Sequence, residues 1–112
     1  MTDSHDITCT TREDRAHAWS ILVRGEVDMA TAPQLAATID DTIAKGADVI
    51  IVRLDHVSFI DSAGLGTLLK GADRCAANGG QLSVEGATPV VERLLKVAGV
   101  AERLCRKPDE QT

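Results

Sequence analysis

Tyrosine is absent from the sequence, and phenylalanine and tryptophan occur once each. A chain so poor in rings offers no platforms on which the bases of a single strand could stack. Basic residues are also outnumbered, 12 Lys and Arg against 17 Asp and Glu, for a formal charge of -5. Nucleic-acid binding needs clustered cations that displace counterions from phosphate, so no direct nucleic-acid partner is expected. No apolar run approaches the roughly 20 residues of a membrane span. The polar start Met1-Thr2-Asp3-Ser4-His5 does not resemble a secretory leader, so a cytoplasmic protein with no membrane partner is expected. Three cysteines, Cys9, Cys75 and Cys105, form an odd set without metal-type spacing. They read as core thiols in a reduced compartment, with a Cys75–Cys105 bridge under oxidation as the alternative. His5, His17 and His56 are too scattered for a metal site. A Walker lysine and a dinucleotide glycine pattern are both missing, so no cofactor is expected.

What is present is an ordinary globular balance, with 44% hydrophobic and 26% charged residues over 112 positions, the size of one domain. The expected domain spans 1–112, with frayed ends near 1–5 and 107–112. Ile7 to Thr11, and the alternation of Trp19, Ile21 and Val23, predict two opening strands joined by a polar turn at Arg12 to Arg15. The second strand is expected to stop at Gly25-Glu26-Val27-Asp28. Thr31, with Gln34 three residues on, then suggests a capping box at the start of a helix whose apolar stripe is Leu35, Ile39 and Ile43. The β-branched run Val49-Ile50-Ile51-Val52 predicts a central strand buried on both faces. Leu65, Leu68, Leu69, Ala72, Cys75 and Ala76 repeat at helical steps as far as Asn78-Gly79-Gly80. Gln81 to Glu85 reads as a strand. Thr88 and Pro89 open a third helix that Gly99 stops, and Val100 to Cys105 could add a last strand. This order predicts an α/β fold, a mixed and mostly parallel sheet packed with about three helices.

In such sheets, partners meet the loops at the carboxyl ends of the strands, where helix N-termini and free amides collect. Two loops qualify, Gly25 to Ala30 and Ser58 to Gly66. Ser62 in the second loop has two readings. It can cap the helix by accepting a backbone amide, or it can stand open to a kinase because Ala63 and Gly64 are small. A phosphate there would add roughly -1.5 to -2 charge at a helix N-terminus and beside Asp61. Ser62, His56 and Asp61 also supply the residue types of a hydrolase. However, Ile60 stands where a nucleophile elbow needs glycine, so an enzyme is not expected.

Val57-Ser58-Phe59-Ile60-Asp61-Ser62-Ala63-Gly64-Leu65-Gly66, followed by Leu68-Leu69, closely resembles the signature of the STAS domain family. Within it, the chain most resembles the free-standing bacterial anti-sigma factor antagonists. Gly25-Glu26-Val27-Asp28, Gly79-Gly80-Gln81-Leu82 and Leu94-Leu95-Lys96-Val97-Ala98-Gly99-Val100 fall in family order, so the likeness runs from the second strand onward. The resemblance implies a partner switch. The unphosphorylated antagonist binds an anti-sigma factor, an ATP-dependent serine kinase of histidine-kinase-like ATPase fold, and thereby frees a sigma factor. Phosphorylation of the serine ends the complex, and a serine phosphatase resets it. Carried over, Ser62 is the acceptor, and Glu26, Asp28, Asp61, Ser62, Ala63, Gly64, Leu65 and Gly66 form the partner face. The alternative the family leaves open is an unphosphorylated regulatory subunit of a transporter or signalling complex. Arg53 and Asp55-His56 depart from the family pattern at the rim, and the tail after Cys105 is short for the extra helix with which many members end.

Overall fold

Alternating strands and amphipathic stripes divide the chain into one sheet and the helices that cover it. In the computed structural model, whose described residues are 6–105, the strands lie in the order β1-β2-β3-β4. They are β1 (Thr8–Arg15), β2 (Ala18–Val27), β3 (Val49–Ile60) and β4 (Gln81–Glu85). The helices are α1 (Ala32–Ala44), α2 (Ser62–Ala77), α3 (Pro89–Val97) and α4 (Ala101–Leu104). β1 pairs antiparallel with β2, whereas β2, β3 and β4 run parallel, which is the mixed, mostly parallel sheet read from the sequence.

The opening hairpin is longer than its hydrophobic pattern suggests. Arg12 to Arg15, expected as the turn, continue β1 as far as Arg15 opposite Ala18, with a break of register between Glu13 and Arg15. The chain reverses at Ala16-His17, with His17 in the left-handed region at φ 65. Polar residues are at home here because β1 is an edge strand, where charge also discourages pairing with other chains. β2 ends at Val27, within the Gly25-Glu26-Val27-Asp28 segment expected to stop it. Gly25, at φ 113, allows a local distortion that a residue with a Cβ would resist.

β3 is buried on one face only, contrary to the expectation from its β-branched run. Ile50, Val52 and Leu54 are fully buried with Ile21, Val23, Leu35, Ile39 and Leu68, whereas Val49, Ile51 and Arg53 are only partly covered. These last three share the opposite face with Ser20 and Leu22 of β2. Arg12, Ser20, Leu22, Arg53, Asp55 and His56 line a shallow hollow on that side. Val91 and Leu95 of α3 join the same buried core.

Val100 to Cys105, expected as a strand, instead forms the one-turn helix α4, which buries Leu104 completely. Coiling after Gly99 (φ 76) turns Leu104 into the core, and only Cys105 makes an isolated parallel bridge, to Val84. The expectations for 1–5, for the tail at 107–112 and for a helix beyond Cys105 lie outside the described residues. Cys9, Cys75 and Cys105 are free thiols, and burial pushes each of them up from the ordinary thiol range.

Candidate functional site

The two loops singled out from the sequence meet at the end of β2. The Asp61 amide donates to the Val27 carbonyl (3.0 Å), so the chain leaving β3 is tied to the residue just before Asp28. Two irregularities bring it there. Leu22 stands opposite Arg53 and Arg24 opposite His56, so β3 uses three residues where β2 uses two. Gly25 opposite Val57 and Glu26 opposite Phe59 repeat the excess. Bulges of this kind bend a strand and re-aim its side chains. As a result Val57 and Ile60 remain buried, while Phe59 is thrown outward and is 42% exposed.

Asp61, rather than Ser62, is the N-cap of α2. Its backbone is extended (φ -106, ψ -171) and its carboxylate accepts the Gly64 amide at 3.0 Å. Its carbonyl accepts the Leu65 amide at 2.9 Å. Ser62 is therefore the first helical residue, and it is exposed. Among the described residues its hydroxyl has no hydrogen-bonding partner, and the amides of Ser62 and Ala63 have no acceptor. The capping reading of Ser62 is thereby corrected: a neighbour does that work, and the serine hydroxyl and two amides are left for a ligand.

Asp28 plays the corresponding part before α1. Its carboxylate accepts the amides of Ala30 (2.9 Å) and Thr31 (3.0 Å), and the Asp28 carbonyl accepts the Ala32 amide (2.7 Å). The capping box expected of Thr31 and Gln34 does not form. Thr31 is 3% exposed and its hydroxyl donates back to the Glu26 carbonyl (2.8 Å), while Gln34 reaches the Ile7 carbonyl (2.8 Å). Thr31 holds the N-cap position but makes no side-chain cap bond, because its hydroxyl is spent on the Glu26 carbonyl and the Asp28 carboxylate.

The remaining residues of the face fall into two groups. Glu26 and Ser62 are exposed, and Asp28, Asp61, Ala63, Leu65 and Gly66 are partly so. Gly64 is buried: a Cβ there would lie 2.6 Å from Ile60 Cγ1 and 2.7 Å from Val27 Cγ1, so its role is close packing of α2 on the strand ends. A Cβ on Gly66 would meet nothing within 4 Å. Residues 25–31 and 57–67 contain Glu26, Asp28 and Asp61 but no Lys or Arg, so the face is acidic. Met29, 77% exposed in the Asp28 loop, and Phe59 are apolar members of the two loops singled out from the sequence, though neither was named there as a partner contact. Met29 was legible as a large apolar side chain in a polar loop. Phe59 was not, because its direction depends on the bulges.

The departures at Arg53 and Asp55 resolve into an ion-pair fork on the open side of the sheet. The Arg53 guanidinium contacts Asp55 through Nε (3.1 Å) and Nη2 (3.2 Å), and Glu85 through Nη1 (3.1 Å). The bond from Arg53 holds the Asp55 carboxyl below its ordinary range. His56 is exposed, and among the described residues it has no bond to Ser62, while Asp61 is turned to Gly64. The three do not form a catalytic triad.

The family model described as STAS domain matches residues 13–111. The chain is 29% identical over 93 residues to the anti-sigma-B factor antagonist of Staphylococcus aureus, covering 83% of this chain and 84% of that protein. It is 31% identical over 87 residues to the anti-sigma F factor antagonist of Paenibacillus polymyxa, covering 75% and 74%. A crystal structure of an anti-sigma factor antagonist from Mycobacterium paratuberculosis superposes with a TM-score of 0.79 at 26% identity, over 98% of this chain and 94% of that one.

Proposed function

The chain belongs to the STAS domain family, and from that membership we propose that it is an anti-sigma factor antagonist switched by phosphorylation of Ser62. In its unmodified form it binds a kinase-type anti-sigma factor through the loops of Asp28 and Ser62 and so releases a sigma factor. It acts as a binding protein, and the phosphoryl-transfer chemistry belongs to the partner. The relatives named as anti-sigma factor antagonists support this reading over most of their length. The observation that carries the switch is the open Ser62 hydroxyl at the first position of a helix that Asp61 already caps.

Phosphorylation forms a bond from Ser62 Oγ to the γ-phosphorus of ATP held by the partner. The bond to the bridging oxygen breaks, ADP is the leaving group, and the hydroxyl proton passes to a base. One Asp61 oxygen is held by the Gly64 amide, and the base is assigned to the kinase. The product phosphate sits at the N-terminus of a 16-residue helix, near the free amides of Ser62 and Ala63, where negative charge is favoured. In the complex, the same phosphate faces the phosphates of the ADP left behind, and like charges that close are costly where water is excluded. Stabilisation in the free chain and repulsion in the complex both favour release. A serine phosphatase then restores the hydroxyl.

The test is to incubate the chain with purified kinase-type anti-sigma factors and ATP and to map phosphate by mass spectrometry, expecting it on Ser62 alone. A kinase that binds the chain but modifies another residue removes the switch. Ser62→Ala should bind the same partner at least about tenfold more tightly than Ser62→Asp, the lesser charge of Asp making this a lower bound. Equal affinities would refute the electrostatic account.

A further inference from the structure

β4 ends at Glu85 opposite Arg53, so Leu54 to Ile60 of β3 extend beyond it, and α3 packs against β3. Val91 and Leu95 turn inward and are fully buried. The outer side of this junction is a groove of about 380 Å³ lined by Phe59, Pro89, Val90, Arg93 and Leu94. Among the described residues it gathers two of the four large apolar side chains left exposed, Phe59 at 42% and Val90 at 57%. Apolar surface concentrated in this way marks a contact site more often than chance exposure does.

Resting on the antagonist function above, we propose that this groove is a second docking point for the same anti-sigma factor, receiving an apolar side chain flanked by a carboxylate. Two features select that occupant. Arg93 at the rim has no ion-pair partner among the described residues, although its neighbour Glu92 pairs with Lys96 at 3.9 Å. The groove also adjoins the Ser62 turn along the chain, because Phe59, which lines it, stands near the end of β3 three residues before Ser62. Across that connection the charge changes sign, from Glu26, Asp28 and Asp61 to Arg93. A dipolar face of this kind fixes the orientation of a complementary partner. Orientation matters here because the kinase must bring one hydroxyl to its nucleotide, and the exposed part of the Ser62 turn is small. A docked Phe59–Val90 patch supplies the desolvated apolar centre expected of a binding hot spot.

The probe is the kinase-type anti-sigma factor that phosphorylates the wild-type chain. Arg93→Glu and Val90→Ser change exposed positions of α3 and should leave the thermal midpoint unchanged. Each should raise KM for phosphorylation of Ser62 about tenfold with kcat held within about twofold, the mark of binding lost outside the reacting group. Hydrogen exchange of the wild-type complex should protect the amides of α3 as well as those around Ser62. Unchanged KM in both variants, or protection confined to the Ser62 turn, overturns the groove while leaving the switch intact. If no kinase-type anti-sigma factor binds the wild-type chain, the switch and the groove both fall. Sedimentation showing that the wild-type chain self-associates and that Arg93→Glu abolishes this assigns the groove to a second copy and also overturns the proposal.

Discussion

The two glycines of the α2 entry make opposite predictions. A Cβ on Gly64 would sit 2.6 Å from Ile60 Cγ1, 2.7 Å from Val27 Cγ1 and 3.0 Å from the Val27 carbonyl oxygen. Carbon atoms rest about 3.5–4.0 Å apart, so the start of α2 must retreat by about 1 Å. Ile60 and Val27 are 1% and 0% exposed and have nowhere to turn, and the Val27 carbonyl is held by the Asp61 amide. Overpacking of this kind costs about 3 kcal/mol at the upper end of its range, and the better helix propensity of Ala returns about 1 kcal/mol. Gly64→Ala should therefore lose about 2 kcal/mol, a fall in Tm of about 8 °C for a domain of this size. Gly66→Ala meets open space and should gain up to about 1 kcal/mol. Because Gly64→Ala moves the N-terminus that presents Ser62, phosphorylation should also slow, by up to about a hundredfold for a 1 Å misplacement. Urea and thermal denaturation of both variants, followed by the kinase assay, measure each quantity. Equal stabilisation of the two variants would refute the close-packing role of Gly64, whatever the kinase assay gave.

Asp61→Ala removes the cap and leaves the Gly64 amide without its acceptor, so it should cost about 1 kcal/mol, whereas Asp61→Asn, an equally good cap, should keep the thermal midpoint. Finding Asn as destabilising as Ala would show that charge, not hydrogen bonding, holds the turn. The Arg53 fork should make a small, acid-sensitive contribution. Because the folded Asp55 carboxyl titrates below the ordinary 3.8, its share of stability is complete above that value and is lost as pH falls through the lowered one. Arg53→Met should cost under about 1 kcal/mol near neutral pH, since the pair is exposed. The gap from wild type should narrow in urea titrations as pH falls below the ordinary 3.8, and a gap that widens with acid would reverse the assignment.

Elements whose signals are local could be read directly from the residues. Thr88 and Pro89 open α3 as their types suggest, with the Thr88 hydroxyl accepting the Val91 amide at 3.3 Å. The stripe through Leu68 and Cys75 marks the buried side of α2, and Gly46 at φ 92 follows the end of α1. What escaped depended on competition or on distant pairing. Thr31 stands at the N-cap as expected, but its hydroxyl is drawn back to Glu26 and Asp28 and so caps nothing. Ile51 looked fully buried because a β-branched run does not tell whether helices cover one face of a sheet or two. Val100 to Cys105 was too short for its period to separate a strand from one turn of helix, and the burial of Leu104 decided it. The bulges of β3 leave no mark in the residues that form them, so the exposure of Phe59, and with it the groove beside α3, could not be foreseen.

The same uncertainty attached to Ser62, and its resolution bears directly on the switch. Asp and Ser are comparable N-caps, so local preference left the helix start undecided by one residue. The pairing of the Asp61 amide with the Val27 carbonyl decides it, by holding Asp61 in extended backbone at the end of the sheet. Had Ser62 been the cap, its hydroxyl oxygen would have been bonded to a backbone amide, and phosphorylation would have had to break the bond that starts the helix. With Asp61 as cap, a phosphate can be added and removed without disturbing the turn. The proposed switch would gain from this separation, because adding or removing the phosphate would not require the bond that starts the helix to break. The tight seat of Gly64 against Val27 and Ile60 would serve the same end, fixing the turn so that a phosphate on Ser62 would act on a partner rather than be absorbed by movement of the helix.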